Sequence, residues 1–396
     1  MKASFADRII KLEPAAVYDI LKHTVGGKVI AFAAGNPSPE AFPAEQVADL
    51  AHEILKNQSI TALQYGLTPG YEPLRKHLAP YLSKNYNVGG DNDQILITSG
   101  ATQGIELAAK VFCNEGDTVI TENPSFIGSL NSFRSYNINV VGVDMEFDGM
   151  NMDKLEETLK KTSNARFIYV IPNFQNPSGW TMSLEKRKRL YELAVKYNTL
   201  ILEDNPYGDL RYFGEDIPSI KSFDKENIVL YAGSFSKIIS PGLRVGFLLA
   251  PEEYFAKLAV AKQASDVHTP LLNQMIVYEY MMRHGLKEHI KKICDIYRRK
   301  LQLTLDCLEK CLGEKLSYVK PEGGLYVYCR LPEHIDMMEY CKKTLEAGVA
   351  VVWGSAFLVD ENEKTQYFRI NFSTPTDEQL VKGIEILGQV FNAMDK

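Results

Sequence analysis

Apolar positions along this chain fall into two recurring patterns. Short, nearly continuous apolar runs lie at 94–98, 118–121, 138–143, 167–171, 199–204, 228–232 and 245–250. Runs of this length, bounded by turn residues, predict buried strands. Longer stretches with apolar residues at helical spacing lie at 14–22, 44–59, 72–85, 105–112, 184–197, 252–263 and 270–284. From about residue 91 strand and helix alternate, which predicts a mainly parallel sheet. A long helical pattern at 287–312 then bridges into a different region. There the strands 316–319, 324–328, 349–353 and 367–372 mix with helices at 335–347 and 376–394, an α+β pattern.

With 396 residues the chain exceeds one compact core. The patterns divide it into an arm over 1–45 that joins the smaller domain, a large domain over 46–286 and a small domain over 287–396. Charge narrows the class of partner: Lys and Arg number 44 against 50 Asp and Glu, a net charge of −6. That balance argues against nucleic acid and anionic membrane. No run approaches the roughly 20 apolar residues of a membrane span. The six cysteines show no metal-type C-x-x-C spacing, so no metal site is expected. With no signal peptide in view, reduced thiols and a cytoplasmic location are expected.

The candidate chemistry sits between the runs 228–232 and 245–250. There the chain reads Ser234-Phe-Ser-Lys237, then Pro241-Gly-Leu-Arg244. A lysine held between buried strands is costly unless it is paired or used. Desolvated, it loses its proton readily and can attack an aldehyde. Ser234, Ser236 and Arg244 beside it suit a phosphate dianion. The alternative is a surface loop with solvated Lys and Arg. Elsewhere, Ser99-Gly-Ala-Thr102 joins a strand to a helix start, an arrangement that binds anions. Asn173, Gln175 and Asn176 follow one strand, and Asp204 ends another. These strand C-termini are where ligands bind in open α/β sheets. Asp204 there is either a turn residue or a partner for a ring nitrogen. Arg369 lies among aromatic and aliphatic neighbours, where it is either a structural pair or a carboxylate clamp.

Taken in order, the motifs resemble those of the pyridoxal 5′-phosphate (PLP)-dependent aminotransferases of fold type I, classes I and II. The branch with 2-aminoadipate, kynurenine and broad-specificity α-amino acid aminotransferases is the most similar. The motifs are Ala34-Gly-Asn-Pro, Tyr65-Gly, Ser99-Gly-Ala-Thr-Gln, Asn123-Pro-Ser-Phe, Asn173 to Gly179, Asp204-Asn-Pro-Tyr, Ser234-Phe-Ser-Lys, Pro241-Gly-Leu-Arg, Pro321-Glu-Gly-Gly and Phe368-Arg-Ile-Asn-Phe. The resemblance implies a mainly parallel seven-stranded sheet in the large domain and a small α+β domain. It implies that Lys237 carries the cofactor and shuttles a proton, and that Asp204 holds the pyridine N–H. Asn176 and Tyr207 would contact the ring's phenolic oxygen, and Phe126 would stack on the ring where many relatives have Tyr. Ser234, Ser236, Arg244 and the backbone of Gly100, Ala101 and Thr102 would hold the phosphate. Arg369 would clamp the substrate carboxylate with Asn176, and Gly35 would line the pocket. The resemblance also implies a homodimer with shared sites, in which Tyr65 reaches the neighbouring subunit's phosphate.

Two departures bear on substrate. Trp353-Gly-Ser-Ala-Phe357 stands where relatives often have Pro-Gly-x-x-Phe, so the indole either reshapes the pocket or packs. Pro14 is followed by Ala15-Ala16, where some relatives acting on acidic substrates carry Arg. This leans toward neutral, aromatic or aliphatic side chains. The expected reaction is ping-pong exchange between an α-amino acid and a 2-oxo acid. Rival readings are another PLP enzyme on this scaffold, a β-lyase or decarboxylase, and a PLP-sensing regulator. No G-x-G-x-x-G joins a strand to a helix, which argues against a nicotinamide dehydrogenase.

Overall fold

The computed structural model describes residues 4–10, 12, 20 and 29–396. The helix expected at 14–22 lies outside them, apart from Ile20. A two-residue strand, β1 (Ile30–Ala31), opens the ordered core. The larger sheet holds β2 (Asp93–Thr98), β3 (Thr118–Asn123), β4 (Asn139–Glu146), β5 (Gly149–Met150), β6 (Ala165–Val170), β7 (Leu200–Asn205), β8 (Val229–Ser234) and β9 (Gly246–Pro251). Their spatial order is β2-β9-β8-β7-β6-β3-β4-β5. Neighbours from β8 through β7, β6 and β3 to β4 run parallel. β9 runs against both β8 and β2, and β5 against β4. The seven expected strands are thus present, and the two-residue β5 extends the sheet to eight.

Layers on both faces explain why these strands read as continuous apolar runs. The centres of β3, β6, β7 and β8 are buried throughout. Two helices bear no sign in the apolar pattern. Ile127–Arg134 is rich in Gly, Ser and Asn, and Met152–Lys161 buries only Leu155 and Leu159. Packing, rather than propensity, makes the first of these helical. The second starts at Asn151, whose side chain caps Lys154 N. The helix expected at 44–59 breaks at Gln58 into Ala44–Asn57 and Ser59–Leu63.

The smaller sheet follows the helix Leu286–Cys311, which is 26 residues long. It comprises β10 (Ser317–Tyr318), β11 (Tyr326–Arg330), β14 (Tyr367–Asn371) and β13 (Val352–Trp353), in that order and antiparallel. The run expected at 349–353 divides in two. Its first half, β12 (Val349–Ala350), leaves the sheet to pair in parallel with β1. That pairing ties the N-terminal segment to the C-terminal part of the chain. β2, β3, β6, β7 and β8 all end at the same edge of the large sheet. β3 has β4 on one side and β6 on the other, so the strand order reverses there, which places a ligand crevice at this edge.

Candidate active site

The loops leaving that edge carry most of the residues singled out by sequence. β8 runs into Phe235-Ser-Lys237. Lys237 Nζ donates to the carbonyl of Gly35 at 2.8 Å. Burial, then the cations of Arg369 and Arg244, lowers the lysine pKa to about 8. At neutral pH a useful fraction is therefore free amine, the nucleophilic form.

Asp204, 2% exposed, is the last residue but one of β7. Tyr169 on β6 donates its hydroxyl to Asp204 Oδ2 at 2.7 Å, and Ser129 Oγ donates to the Tyr169 hydroxyl at 2.8 Å. Asp204 Oδ1 is buried and has no partner among the described residues. Burial raises this carboxyl to about pH 7, opposed by the Tyr169 bond. One oxygen fixed and one bare is the arrangement a cationic N–H would complete.

β2 runs through Ser99 into Gly100, whose φ is 84°. Gly100 precedes the helix Ala101–Phe112 and supplies no side-chain cap. The helix therefore starts four residues earlier than its apolar pattern indicates, and Ala101 and Thr102 form its first turn. Their N–H groups belong to the free donors of a helix start. A Cβ on Gly100 would lie 2.3 Å from Arg244 Nη2, so only glycine leaves the guanidinium its place. Arg244 Nη2 donates to the carbonyl of Ser99 at 2.8 Å. Ser236 N donates to Ser234 Oγ at 3.1 Å. Behind this cradle Gln103 Oε1 accepts from Ser99 N at 2.8 Å and from the buried Lys262 at 2.7 Å.

Arg369 crosses from the small sheet to the large one. It is 3% exposed, on β14. Its Nη1 donates to Asn176 Oδ1 at 2.7 Å and its Nη2 to the carbonyl of Ala33 at 2.8 Å. Nε has no partner. The guanidinium carbon lies 4.3 Å from the Tyr326 ring centre and 4.8 Å from that of Phe357. Because arginine only donates, the Asn176 oxygen is committed and its amide N–H₂ remains available. The Tyr207 hydroxyl lies 3.3 Å from that of Tyr326. Burial holds the Tyr207 phenol well above its ordinary pKa, so it is a neutral donor.

Three residues stand apart. Phe126 is half-buried at the start of the helix Ile127–Arg134, with no hydrogen bond to the others. Tyr65 is 81% exposed and forms an edge-to-face pair with His268, ring centres 6.0 Å apart. Trp353 lies in register with Phe368 rather than with Arg369, and it packs both against the main hydrophobic core and against the small cluster that holds Ala33, Val352 and Phe357. Sequence reasoning passed over Tyr169, Ser129, Glu122, Tyr326 and Phe357. A tyrosine buried in the apolar run 167–171 was the available signal, since its hydroxyl needs a partner there.

The bare Asp204 oxygen and the Gly100–Arg244 cradle each fit a part of one molecule, a phosphorylated pyridine aldehyde. An amine of lowered pKa and an arginine clamp fit its use on amino acids. The fold and this set of groups define a PLP-dependent enzyme. Comparison with known proteins agrees: the chain belongs to the family aminotransferase class I and II, whose model matches residues 27–387. It is 38% identical to aromatic-amino-acid aminotransferase 1 of Thermococcus litoralis, over 97% of this chain and 93% of that protein. It is 36% identical to the 2-aminoadipate transaminase of Thermus thermophilus, over 97% and 95%. The solved kynurenine aminotransferase of Pyrococcus horikoshii, in complex with PMP, superposes with a TM-score of 0.94 at 34% identity, over 99% and 98% of the two chains. This chain is a PLP-dependent aminotransferase.

Proposed function

We propose that the enzyme exchanges amino groups between α-amino acids and 2-oxo acids of broad, mainly aromatic or aliphatic side chain. The observation that carries this reading is Arg369. It is a buried fork against the rings of Tyr326 and Phe357, with Nε unpaired among the described residues. A carboxylate matches that fork, and the aromatic surround suits an apolar side chain. The names of the aromatic and kynurenine relatives support it.

When bound, PLP supplies the electron sink that acidifies the Cα–H bond. The remaining roles fall to this chain. Lys237 would hold the cofactor through its amine and, as free amine, would carry the proton at the substrate Cα. Asp204, steadied by Tyr169, would keep the ring nitrogen protonated. Asn176 and Tyr207 would donate to the phenolic oxygen, and Phe126 would cover the ring. Ser234, Ser236, Arg244 and the backbone of Gly100, Ala101 and Thr102 would hold the phosphate. Arg369 and Asn176 orient the substrate carboxylate, with Gly35 beside them, so that the Cα–H bond is the one activated.

The domain limits 1–45, 46–286 and 287–396 belong to the same proposal, as does a homodimer in which Tyr65 serves the neighbouring site. Its 81% exposure beside exposed Leu63 and Leu67 supports a partner surface. A cytoplasmic location is supported by six cysteines that form no disulfide. Among the described residues, no helix is long and apolar enough to cross a membrane. The test is a panel of amino acids scored by half-reaction, following the absorbance change to pyridoxamine phosphate. Aromatic and aliphatic donors should convert the enzyme readily. A response to acidic donors alone would refute the specificity, and product formation by elimination would refute transamination.

A further inference from the structure

The mechanism uses Asp204 and leaves a second buried carboxyl unexplained. Glu122, near the end of β3, is 0% exposed. Its Oε2 accepts from Ile171 N at 3.1 Å and from Gln175 Nε2 at 3.2 Å. Its Oε1 is buried with no partner among the described residues. Among the described residues Glu122 joins no ion pair. The titratable groups facing it are Asp204 from β7 and Tyr169 from β6. On β4 its register partner is Val143.

Gln175 is the link to the substrate clamp. Its Nε2 also donates to the carbonyl of Pro124 at 2.8 Å. Its Oε1 accepts from Ser178 N at 2.9 Å and from Ser178 Oγ at 2.7 Å. Its backbone N–H donates to Trp180 O at 2.8 Å. The side chain of Gln175 thus fixes the turn that presents the next residue, Asn176, to Arg369.

We propose that Glu122 is a positioning residue for amino-acid binding: a neutral carboxylic acid that holds Asn176, and through it Arg369, by way of Gln175. Two donors on one oxygen and none on the other suit a carbonyl and a protonated oxygen. An ionised group would leave a buried charge uncompensated. It would also lie close to Asp204, whose charge disfavours a second anion. Burial, with a smaller push from Asp204, accordingly raises its pKa to about 8. Ionisation above that pH places charge under the loop and loosens the clamp.

The test uses the holoenzyme. Binding of a 2-methyl α-amino acid, which has no Cα proton to lose, is followed by absorbance, and KM and kcat are measured across pH. In the parent, KM for amino acids should rise above about pH 8 more than kcat falls. Glu122→Gln keeps a carbonyl for the same two donors and cannot ionise. It should match the parent at pH 7 and lose that alkaline rise. Glu122→Ala should weaken binding about tenfold to a hundredfold, the scale of a small misplacement of a binding group. Gln175→Ala, which keeps Glu122 intact, should do the same and stands in if Glu122→Ala does not fold. Unchanged binding in the truncated variants would overturn the proposal. So would a Glu122→Gln enzyme that behaves like Glu122→Ala or keeps the parent's alkaline rise.

Discussion

Replacing Tyr169 by Phe isolates the support of Asp204 from its packing. The ring stays in the core, where Tyr169 is 0% exposed, and only the hydroxyl is lost. With it goes the single hydrogen bond to Asp204 Oδ2, at 2.7 Å, and the acceptor of Ser129 Oγ. A hydrogen bond to a charged group contributes about 1.5–3 kcal/mol. That bond favours the ionised carboxylate, the state that pairs with a protonated ring nitrogen. Since 1.4 kcal/mol is about tenfold in an equilibrium constant, PLP should bind the cofactor-free variant about tenfold to a hundredfold more weakly. Absorbance titration of the cofactor-free protein with PLP measures this, and a thermal melt checks that the core survives. Ser129→Ala, one bond further from the carboxylate, should weaken PLP less. A Tyr169→Phe protein with lowered melting temperature but unaltered PLP affinity would refute the reasoning, leaving Tyr169 a packing residue.

Three other variants test the remaining groups. Arg369→Lys replaces a fork that reaches Asn176 and Ala33 together by a point charge. KM for amino acids should rise about a hundredfold, from loss of the bidentate geometry, with PLP binding little changed; steady-state kinetics and cofactor titration check both. Mixing Tyr65→Ala subunits with Lys237→Ala subunits should give more activity than either alone, because a mixed dimer restores one intact site; no gain would mean that each site is complete within one chain.

The large sheet was legible because its strands are buried on both faces and separated by turn-rich loops. The residues at its C-terminal edge followed from that, since Asp204 and Asn176 are polar groups placed just after apolar runs. The helix Ile127–Arg134 was not legible: its Gly, Ser and Asn content opposes helix, and only packing imposes it. Nor was the support of the site. Tyr169 reads as one more apolar strand residue, and its role depends on a hydroxyl that meets Asp204 from a neighbouring strand 35 positions away. Glu122 precedes a turn and reads as solvated, whereas the fold leaves it 0% exposed. The indole of Trp353 departs from the family pattern, and the fold uses it in packing, against the main core and against the cluster of Ala33 and Phe357.

The central claim is that Lys237 binds the cofactor. Reduction of the holoenzyme with borohydride, followed by peptide mass mapping, fixes the attachment point. The account predicts one pyridoxyl group, on the peptide containing Lys237, and none on a Lys237→Ala protein, which also loses the visible absorbance. A label on Lys221, Lys262 or Lys300, the buried lysines among the described residues, or unaltered absorbance in the Lys237→Ala protein, would contradict it.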